Sequence, residues 1–395
     1  MVSHRKIPFC RIKCDGNELK YVRETLDSGW LTTAGRSLEF EKRFAAKVEA
    51  RYACAVNSGT AALHLACETA GISEGDKVFV PTMTFTASAE ILRYLKADPI
   101  LLDVEYGTCL ITPEILEEGI RRFPGAKAAV IVHLGGQAAQ LIGDRAGAQK
   151  RGILDLCKDH GLTLIEDAAH AFPTRYRGKM IGSFGHATCF SFYANKTITT
   201  GEGGMLVTDD QDIFKRAKIM RLHGIDRDIW DRYASSSPDW EYDVVAPGFK
   251  YNMPDVNAAI GLAQLERADD FRRERQRCAE RYYEVLSGLE SLDLPVCHGA
   301  REDHSWHLFW VVLNDRARIT RDALVDTLAE AGIGTSVHYK PLHRMTYYRQ
   351  RYGLKPEQYP NAERHWKGVV SLPIYPTLSN EEIDYIGIIL KRMLA

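Results

Sequence analysis

The sequence predicts an α/β fold built on a mostly parallel sheet, and two observations support this prediction. Short apolar segments alternate with helical patterns from residue 52 to residue 209, and such alternation is typical of parallel sheets with helices on both faces. The chain of 395 residues is also long enough for two domains. We therefore expect a large domain at residues 1–255 and a smaller C-terminal α/β domain at residues 256–395.

Two amphipathic helices are expected before the sheet. Their apolar faces are predicted to pack against the core, with Leu19, Val22 and Leu26 on the first and Phe40, Phe44 and Val48 on the second. The expected strands are, in order, ACAV, KVFV, PILL, KAAVIV, LTLIED, TCFSF and MLVT. The C-terminal part is predicted to contain a polar surface loop at 231–248, a long helix at 254–289, the strand HLFWVVL and the helix RDALVDTLAEAG.

Composition excludes several classes of function. The net charge of −1 provides no electrostatic attraction to nucleic acid or to an anionic membrane. The nine cysteines are an odd number without a C-x-x-C pair, which argues against a disulfide framework and against a metal site. The N-terminus has no signal-peptide pattern, and no apolar run approaches the roughly 18 residues of a membrane span. We expect a cytoplasmic protein that binds neither nucleic acid nor membrane nor metal.

One lysine lies ahead of a glycine cluster, in the segment FYANKTITTGEGG at 192–204. A P-loop requires its lysine directly after the last glycine, and Lys196 precedes all of them. A dinucleotide fingerprint requires glycines that open a helix, whereas this cluster leads into the strand-like MLVT. The remaining interpretation is a lysine at the end of an aromatic strand, where its side chain can point into a cleft.

A lysine in such a cleft can bind an aldehyde cofactor covalently, and pyridoxal 5′-phosphate (PLP) requires three further partners. Ser58, Gly59 and Thr60 lie between a strand and a helix, where an anion can bind at the helix N-terminus. Asp167 ends a buried strand and can hold the pyridine nitrogen protonated. Phe85 follows a strand and can stack on the ring. Each residue also has an ordinary structural interpretation as a helix cap or a core side chain.

The segments NSGTAALHLA, EDAAHA and FSFYANKTITTGEGGM together resemble the DegT/StrS family of PLP-dependent nucleotide-sugar aminotransferases. The resemblance extends from SGWLTTAG through GFKYNMPDVNAAIGLAQLE to VHYKPLH. It implies the aspartate-aminotransferase-like fold (fold type I), with a large mixed-sheet domain and a smaller C-terminal α/β domain. It also implies a homodimer with shared active sites.

Carried over by position, the resemblance makes Lys196 the covalent lysine, Asp167 the partner of the pyridine nitrogen and Phe85 the stacking residue. His170 stands where family members often have glutamine, within reach of the cofactor O3′ or ring edge. The phosphate site is expected to include Ser58, Gly59, Thr60, Ala61 and Ser191, completed by Lys250 or Asn252 of the neighbouring subunit. The residues expected to bind substrate are Trp30, Thr32, His307, His338, Tyr339 and Lys340.

The resemblance implies transfer of an amino group from L-glutamate to a nucleotide-linked keto-sugar. The segment NKTITTGEGG resembles the corresponding segment of the branch that acts at C4 of 4-keto-6-deoxy sugars, as in lipopolysaccharide O-antigen biosynthesis. Branches that act at C3 tend to have GDGG in place of GEGG. The alternatives are a C3 aminotransferase, a sugar dehydratase, a non-catalytic regulator and a PLP enzyme acting on amino acids alone. Lys196 and the absence of a cysteine cluster argue against the dehydratases.

Overall fold

A seven-stranded sheet dominates the computed structural model, which describes residues 6–143, 151–182, 184–226 and 241–394. The strands of this sheet and of a small hairpin are β1 (Tyr52–Val56), β2 (Lys77–Pro81), β3 (Asp98–Leu102), β4 (Ala128–Val132), β5 (Thr163–Asp167), β6 (Arg175–Tyr176), β7 (Lys179–Met180), β8 (Ala187–Ser191) and β9 (Gly204–Thr208). The sheet order is β1-β9-β8-β5-β4-β2-β3, and β6 pairs with β7. All the strands predicted for this region are present, so the α/β prediction is confirmed.

The sheet is mixed because one strand runs against the others. Neighbouring strands from β8 to β3 are all parallel, whereas β9 is antiparallel to both β1 and β8. The carboxyl ends of β1, β5 and β8 therefore lie at the same edge as the amino end of β9. In α/β proteins this edge of the sheet is where ligands bind.

Helices cover both faces of the sheet. They are α1 (Glu18–Ser28), α2 (Gly35–Lys47), α3 (Gly59–Thr69), α4 (Ala87–Tyr94), α5 (Pro113–Arg122), α6 (Ile153–Asp159) and α7 (Gln211–Met220). Alternate residues of a strand belong to different apolar clusters: Cys54 and Val56 lie in one, Ala53 and Ala55 in the other. Both faces are therefore buried, as the near-continuous apolar strands require.

The predicted packing of the two N-terminal helices is half correct. Phe40 and Phe44 of α2 are fully buried, as expected. Leu19 and Leu26 of α1 are 83% and 54% exposed, whereas Val22 is half-buried, so most of the expected face of α1 does not pack against the core of its own chain. The polar side of α1 makes the contact instead, and Tyr21 donates to a carboxylate oxygen of Glu266 over 2.6 Å.

The C-terminal part has its own sheet and apolar cluster. Its elements are α8 (Asp255–Glu266), α9 (Ala268–Leu286), β10 (Leu292–Asp293), β11 (Phe309–Leu313), α10 (Arg321–Glu330), α11 (Thr346–Tyr352), α12 (Pro360–Gly368), β12 (Val369–Leu372) and α13 (Asn380–Leu394). The single helix predicted for 254–289 is in fact two helices, because the chain leaves helical geometry at Arg267. The strand and helix predicted after it correspond to β11 and α10.

Two predictions concern regions where the structure gives only part of the answer. The surface loop expected at 231–248 falls largely outside the described residues, which resume at 241. The domain boundary at residue 255 stays a prediction, although Ile7 at the start of the chain belongs to the C-terminal cluster and donates to Gly332 O over 2.8 Å. Within the described ranges, every helix is too short or too polar to cross a bilayer.

Candidate active site

A cavity of about 410 Å³ lies at the ligand-binding edge of the large sheet. Its walls bring together residues that the sequence predicted from distant segments: Ser58, Gly59, Thr60, Phe85, Asp167, His170, Ser191, Lys196, His338 and Tyr339. Sequence reasoning did not single out the other polar lining residues, Thr84, Tyr193, Asn195 and Glu202. Three of these fall inside the motif around the lysine, which was the available signal for them.

One end of the cavity is formed by the N-terminus of α3. Ser58 caps this helix, and its Oγ accepts a hydrogen bond from the Ala61 backbone N–H over 3.0 Å. Ala61 thus has its N–H occupied and does not line the cavity. The backbone comes very close to β8 here, since a Cβ on Gly59 would lie 2.9 Å from the Ser191 Cβ. The remaining N–H groups of the first turn and the hydroxyls suit a phosphate.

Asp167 is 4% exposed and lies at the end of β5. Its Oδ2 accepts a hydrogen bond from Ser88 Oγ over 2.7 Å, and its Oδ1 accepts one from the Ala169 N–H over 3.1 Å. Ser88 Oγ in turn lies 2.8 Å from Thr84 Oγ1. Ser88 could not be predicted from the sequence, because a contact between α4 and β5 depends on the tertiary fold. The two hydrogen bonds fix the orientation of the carboxylate.

Lys196 lies in the turn that follows β8 and lines the same cavity. Burial lowers the pKa of Lys196 to about 8, although the attraction of Asp167 acts in the opposite direction. A lysine with a pKa of about 8 carries about a tenth of its population as neutral amine at pH 7, far more than an ordinary lysine. Such an amine is suited to covalent attachment of an aldehyde and to proton transfer.

Three histidines surround the cavity wall next to the lysine. The rings of His170 and His307 have their centroids 4.2 Å apart, and His338 Nδ1 lies 2.8 Å from Ser371 Oγ. Burial, reinforced by the charge of Lys196, lowers the pKa of His338 to about 4 and holds that of His170 well below its ordinary value. The imidazoles are therefore neutral at physiological pH, and His307 packs behind the wall rather than lining it.

Five further predicted residues, Lys340 among them, are absent from the described lining of the cavity. Trp30, Thr32, Lys250 and Asn252 are not among the described residues that line it. Asn252 Nδ2 donates to Thr33 Oγ1 over 2.7 Å, and Lys250 Nζ donates to Asn252 Oδ1. The loop after α1 and the segment 250–252 are therefore joined by hydrogen bonds, with Thr33 and Asn252 buried at the contact.

The chain's own residues fit PLP in four respects. There is a helix N-terminus with hydroxyls for a phosphate, and a buried carboxylate of fixed orientation for a pyridine nitrogen. Phe85 is an exposed aromatic ring on the cavity wall. Finally, Lys196 is a lysine of lowered pKa close enough to Asp167 to be influenced by its charge.

Known proteins share this architecture over almost the whole chain. The spore coat polysaccharide biosynthesis protein SpsC of Bacillus subtilis is 42% identical over 388 residues, which cover 97% of this chain and 96% of SpsC. The structure of PseC, a Helicobacter pylori aminotransferase involved in the biosynthesis of pseudoaminic acid, matches with a TM-score of 0.88 and 25% identity over 99% of both chains. The PLP form of Spr1654 from Streptococcus pneumoniae matches with a TM-score of 0.86 and 30% identity, covering 99% of this chain and all of that one.

Residues 13–391 match the DegT/DnrJ/EryC1/StrS aminotransferase family, and this range contains every residue of the cavity. The resemblance noted in the motifs is thereby confirmed, as are fold type I and the cofactor. The family match therefore agrees with the cavity, in which a buried lysine lies close to a strand-end carboxylate. The chain belongs to the DegT/DnrJ/EryC1/StrS family and is an aminotransferase that uses PLP.

Proposed function

We propose that this enzyme transfers the amino group of L-glutamate to C4 of a nucleotide-linked 4-keto-6-deoxy sugar during the biosynthesis of a surface polysaccharide. The composition of the cavity carries the proposal. Besides Lys196, its described lining offers hydroxyls, neutral imidazoles, an amide and the carboxylates of Asp167 and Glu202, but no arginine. Those groups suit the hydroxyls of a sugar, whereas an enzyme for amino acids alone would be expected to offer an arginine to a carboxylate.

The roles proposed for the residues follow from their positions. The α3 N-terminus, Ser58 and Ser191 bind the phosphate, and Phe85 covers the ring. Asp167 would hold a proton on the pyridine nitrogen. Lys196 Nζ would take a proton from the carbon that loses the amine and deliver it to the carbon that gains the amine. When bound, PLP supplies an electron-withdrawing ring and an aldehyde that let an amine pass from one substrate to the next.

The relatives are consistent with a sugar substrate. SpsC is named for polysaccharide biosynthesis, and PseC for an aminotransferase in pseudoaminic acid biosynthesis. The choice of C4 over C3 rests on the sequence motif GEGG, in which Glu202 lines the cavity. Because Lys196 is present, amino transfer is favoured over dehydration, and because the predicted cofactor residues converge in one cavity, catalysis is favoured over a purely regulatory role.

We further propose a homodimer with shared sites. Leu19 and Leu26 of α1 are exposed to solvent in a single subunit. Exposed apolar side chains on one helix face are typical of protein–protein interfaces. The loop after α1 and the segment 250–252, joined by hydrogen bonds, adjoin that helix. In the proposed dimer this region lies beside the partner's cavity, which is consistent with Trp30, Thr32, Lys250 and Asn252 not being among the described residues that line their own.

Reduction with borohydride is expected to fix PLP irreversibly to Lys196, because among the described lysines this one combines a lowered pKa with a place in the cavity lining. The measurement is peptide mapping of the reduced protein by mass spectrometry. Lys96 serves as an internal control, since it is exposed, pairs with Glu74 outside the cavity and should stay unlabelled. A label on another lysine would contradict the assignment.

Asp167→Asn is expected to lower the rate of transamination about a hundredfold or more, since an amide cannot hold the pyridine nitrogen protonated. Cofactor content, measured by absorbance, should remain largely intact because the phosphate site is unchanged. The matched control is Asp210→Asn, which alters a helix cap outside the cavity and should leave the rate near normal. A rate for Asp167→Asn within a few-fold of wild type would remove Asp167 from the proposed role.

Replacement of both Leu19 and Leu26 by aspartate is expected to give an inactive monomer, because two charges would be buried at the interface. Sedimentation measures the mass, and Ile388→Asp on the exposed side of α13 is the control that should stay dimeric.

Shared sites are tested by mixing Lys196→Ala chains with Lys250→Ala/Asn252→Ala chains. Each parent should be impaired, and a hybrid dimer containing one intact site should recover activity. Full activity in a monomer, or no recovery on mixing, argues against the shared site.

A panel of UDP-, GDP- and dTDP-linked keto-sugars incubated with glutamate and the wild-type enzyme is expected to yield 2-oxoglutarate and a 4-amino sugar. Mass spectrometry detects the replacement of a carbonyl oxygen by an amine, and NMR of the product assigns the carbon. Loss of water without gain of nitrogen would refute amino transfer to a sugar. Amination of 3-keto sugars alone would refute only the C4 assignment.

A further inference from the structure

A hydrogen-bonded pair of side chains, His170 and Tyr339, forms part of the cavity wall. His170 Nε2 lies 3.1 Å from the Tyr339 hydroxyl oxygen. On the other side of the imidazole, Nδ1 accepts a hydrogen bond from the Gly135 backbone N–H over 3.3 Å. Both residues line the cavity. The pair joins the segment after β5 to the segment before α11, which are far apart in the sequence.

The backbone donor determines the tautomer of His170. A ring nitrogen that accepts a hydrogen bond carries no proton, so the neutral imidazole must carry its single proton on Nε2. Nε2–H therefore donates to the Tyr339 oxygen. Within the described part of the chain the Tyr339 hydroxyl hydrogen-bonds to His170 alone, so the hydroxyl's own proton has no protein acceptor there. That proton must point away from His170.

Several contacts keep the imidazole in this state. Ser305 Oγ donates to the His170 backbone carbonyl over 2.9 Å, and the ring of His307 packs against the imidazole. A second proton on the ring is disfavoured because burial holds the pKa of His170 well below its ordinary value. The Tyr339 hydroxyl thus has a fixed direction, with its oxygen accepting from the wall and its proton available to the cavity.

We propose that His170 is a positioning residue that makes the Tyr339 hydroxyl a hydrogen-bond donor to an oxygen of the keto-sugar. This inference rests on the proposed function, because it needs a sugar in the cavity. It differs from the role that the family resemblance implied for His170, a direct contact with the cofactor O3′ or ring edge. In the structure both ring nitrogens already have partners, Gly135 and Tyr339.

The tautomer can be measured without any activity assay. In the PLP-loaded wild-type enzyme labelled with ¹⁵N in its histidine rings, the His170 signals should show an unprotonated Nδ1 and a protonated Nε2 at neutral pH. The spectrum of His170→Gln identifies these signals by their disappearance. A protonated Nδ1, or protons on both nitrogens, would overturn the proposal whatever the enzyme's substrate.

The consequence for the substrate can be measured by kinetics with the nucleotide-linked keto-sugar that the wild-type enzyme aminates. Tyr339→Phe and His170→Leu should each raise the KM for that sugar about tenfold, the loss of one directed hydrogen bond, and leave the KM for glutamate unchanged. The double variant should be no worse than Tyr339→Phe alone, because both changes remove the same interaction. His170→Gln should restore most of the affinity lost in His170→Leu, since an amide can accept from Gly135 and donate to Tyr339.

The control is Tyr282→Phe, which removes a buried hydroxyl that donates to Pro373 O over 2.8 Å in the C-terminal core. It should leave the KM for the sugar unchanged. The proposal would be overturned if the increases in KM for the sugar added up in the double variant. It would also be overturned by an equal rise in the KM for glutamate, which would indicate that the Tyr339 hydroxyl contacts the cofactor. A wild-type enzyme that aminates no nucleotide-linked sugar refutes the proposed function instead, while the tautomer measurement still decides the state of His170.

Discussion

The pairing of β9 between β1 and β8 is the constraint on which the site depends. Gly204 is the register partner of both Val56 and Ser191, so the chain enters α3 directly beside the end of β8. That contact leaves no room for side chains, because a Cβ on Gly204 would lie 2.4 Å from the Ser58 carbonyl oxygen. One antiparallel strand thus brings the phosphate end of the cavity and the lysine-bearing turn together.

Burial then determines the chemistry of the groups that this edge collects. Removing charge from water is costly, so the interior favours a lysine that can lose its proton and imidazoles that never gain a second one. Asp167 is different because it is held by Ser88 and by the Ala169 N–H, hydrogen-bond donors that match a carboxylate. In this buried environment the hydrogen bonds hold Asp167 in position, and Lys196 is partly neutral. The histidines stay neutral and make hydrogen bonds of defined direction.

The sequence revealed the strands and the central residues of the site, because both depend on local pattern and on chain order. Lys196 and Asp167 could be predicted since the ends of neighbouring strands must meet at one edge of a sheet. Ser88 and the Gly135 N–H could not, because they reach Asp167 and His170 only through tertiary packing. The face of α1 was misjudged for a related reason: an apolar pattern shows that Leu19 and Leu26 need a partner, but does not tell whether that partner is the same chain.

The position of His170 shows how two different residue types can meet one geometric requirement. This position needs a side chain that accepts a hydrogen bond from the Gly135 N–H and donates one to the Tyr339 hydroxyl. One short side chain must therefore carry both an acceptor and a donor. A neutral imidazole provides them on its two nitrogens, and a glutamine provides them on its oxygen and nitrogen. The imidazole meets this requirement only while it holds one proton, so its burial is part of its function. A glutamine needs no such protection, and the two solutions therefore differ in how strictly the surrounding packing must exclude water.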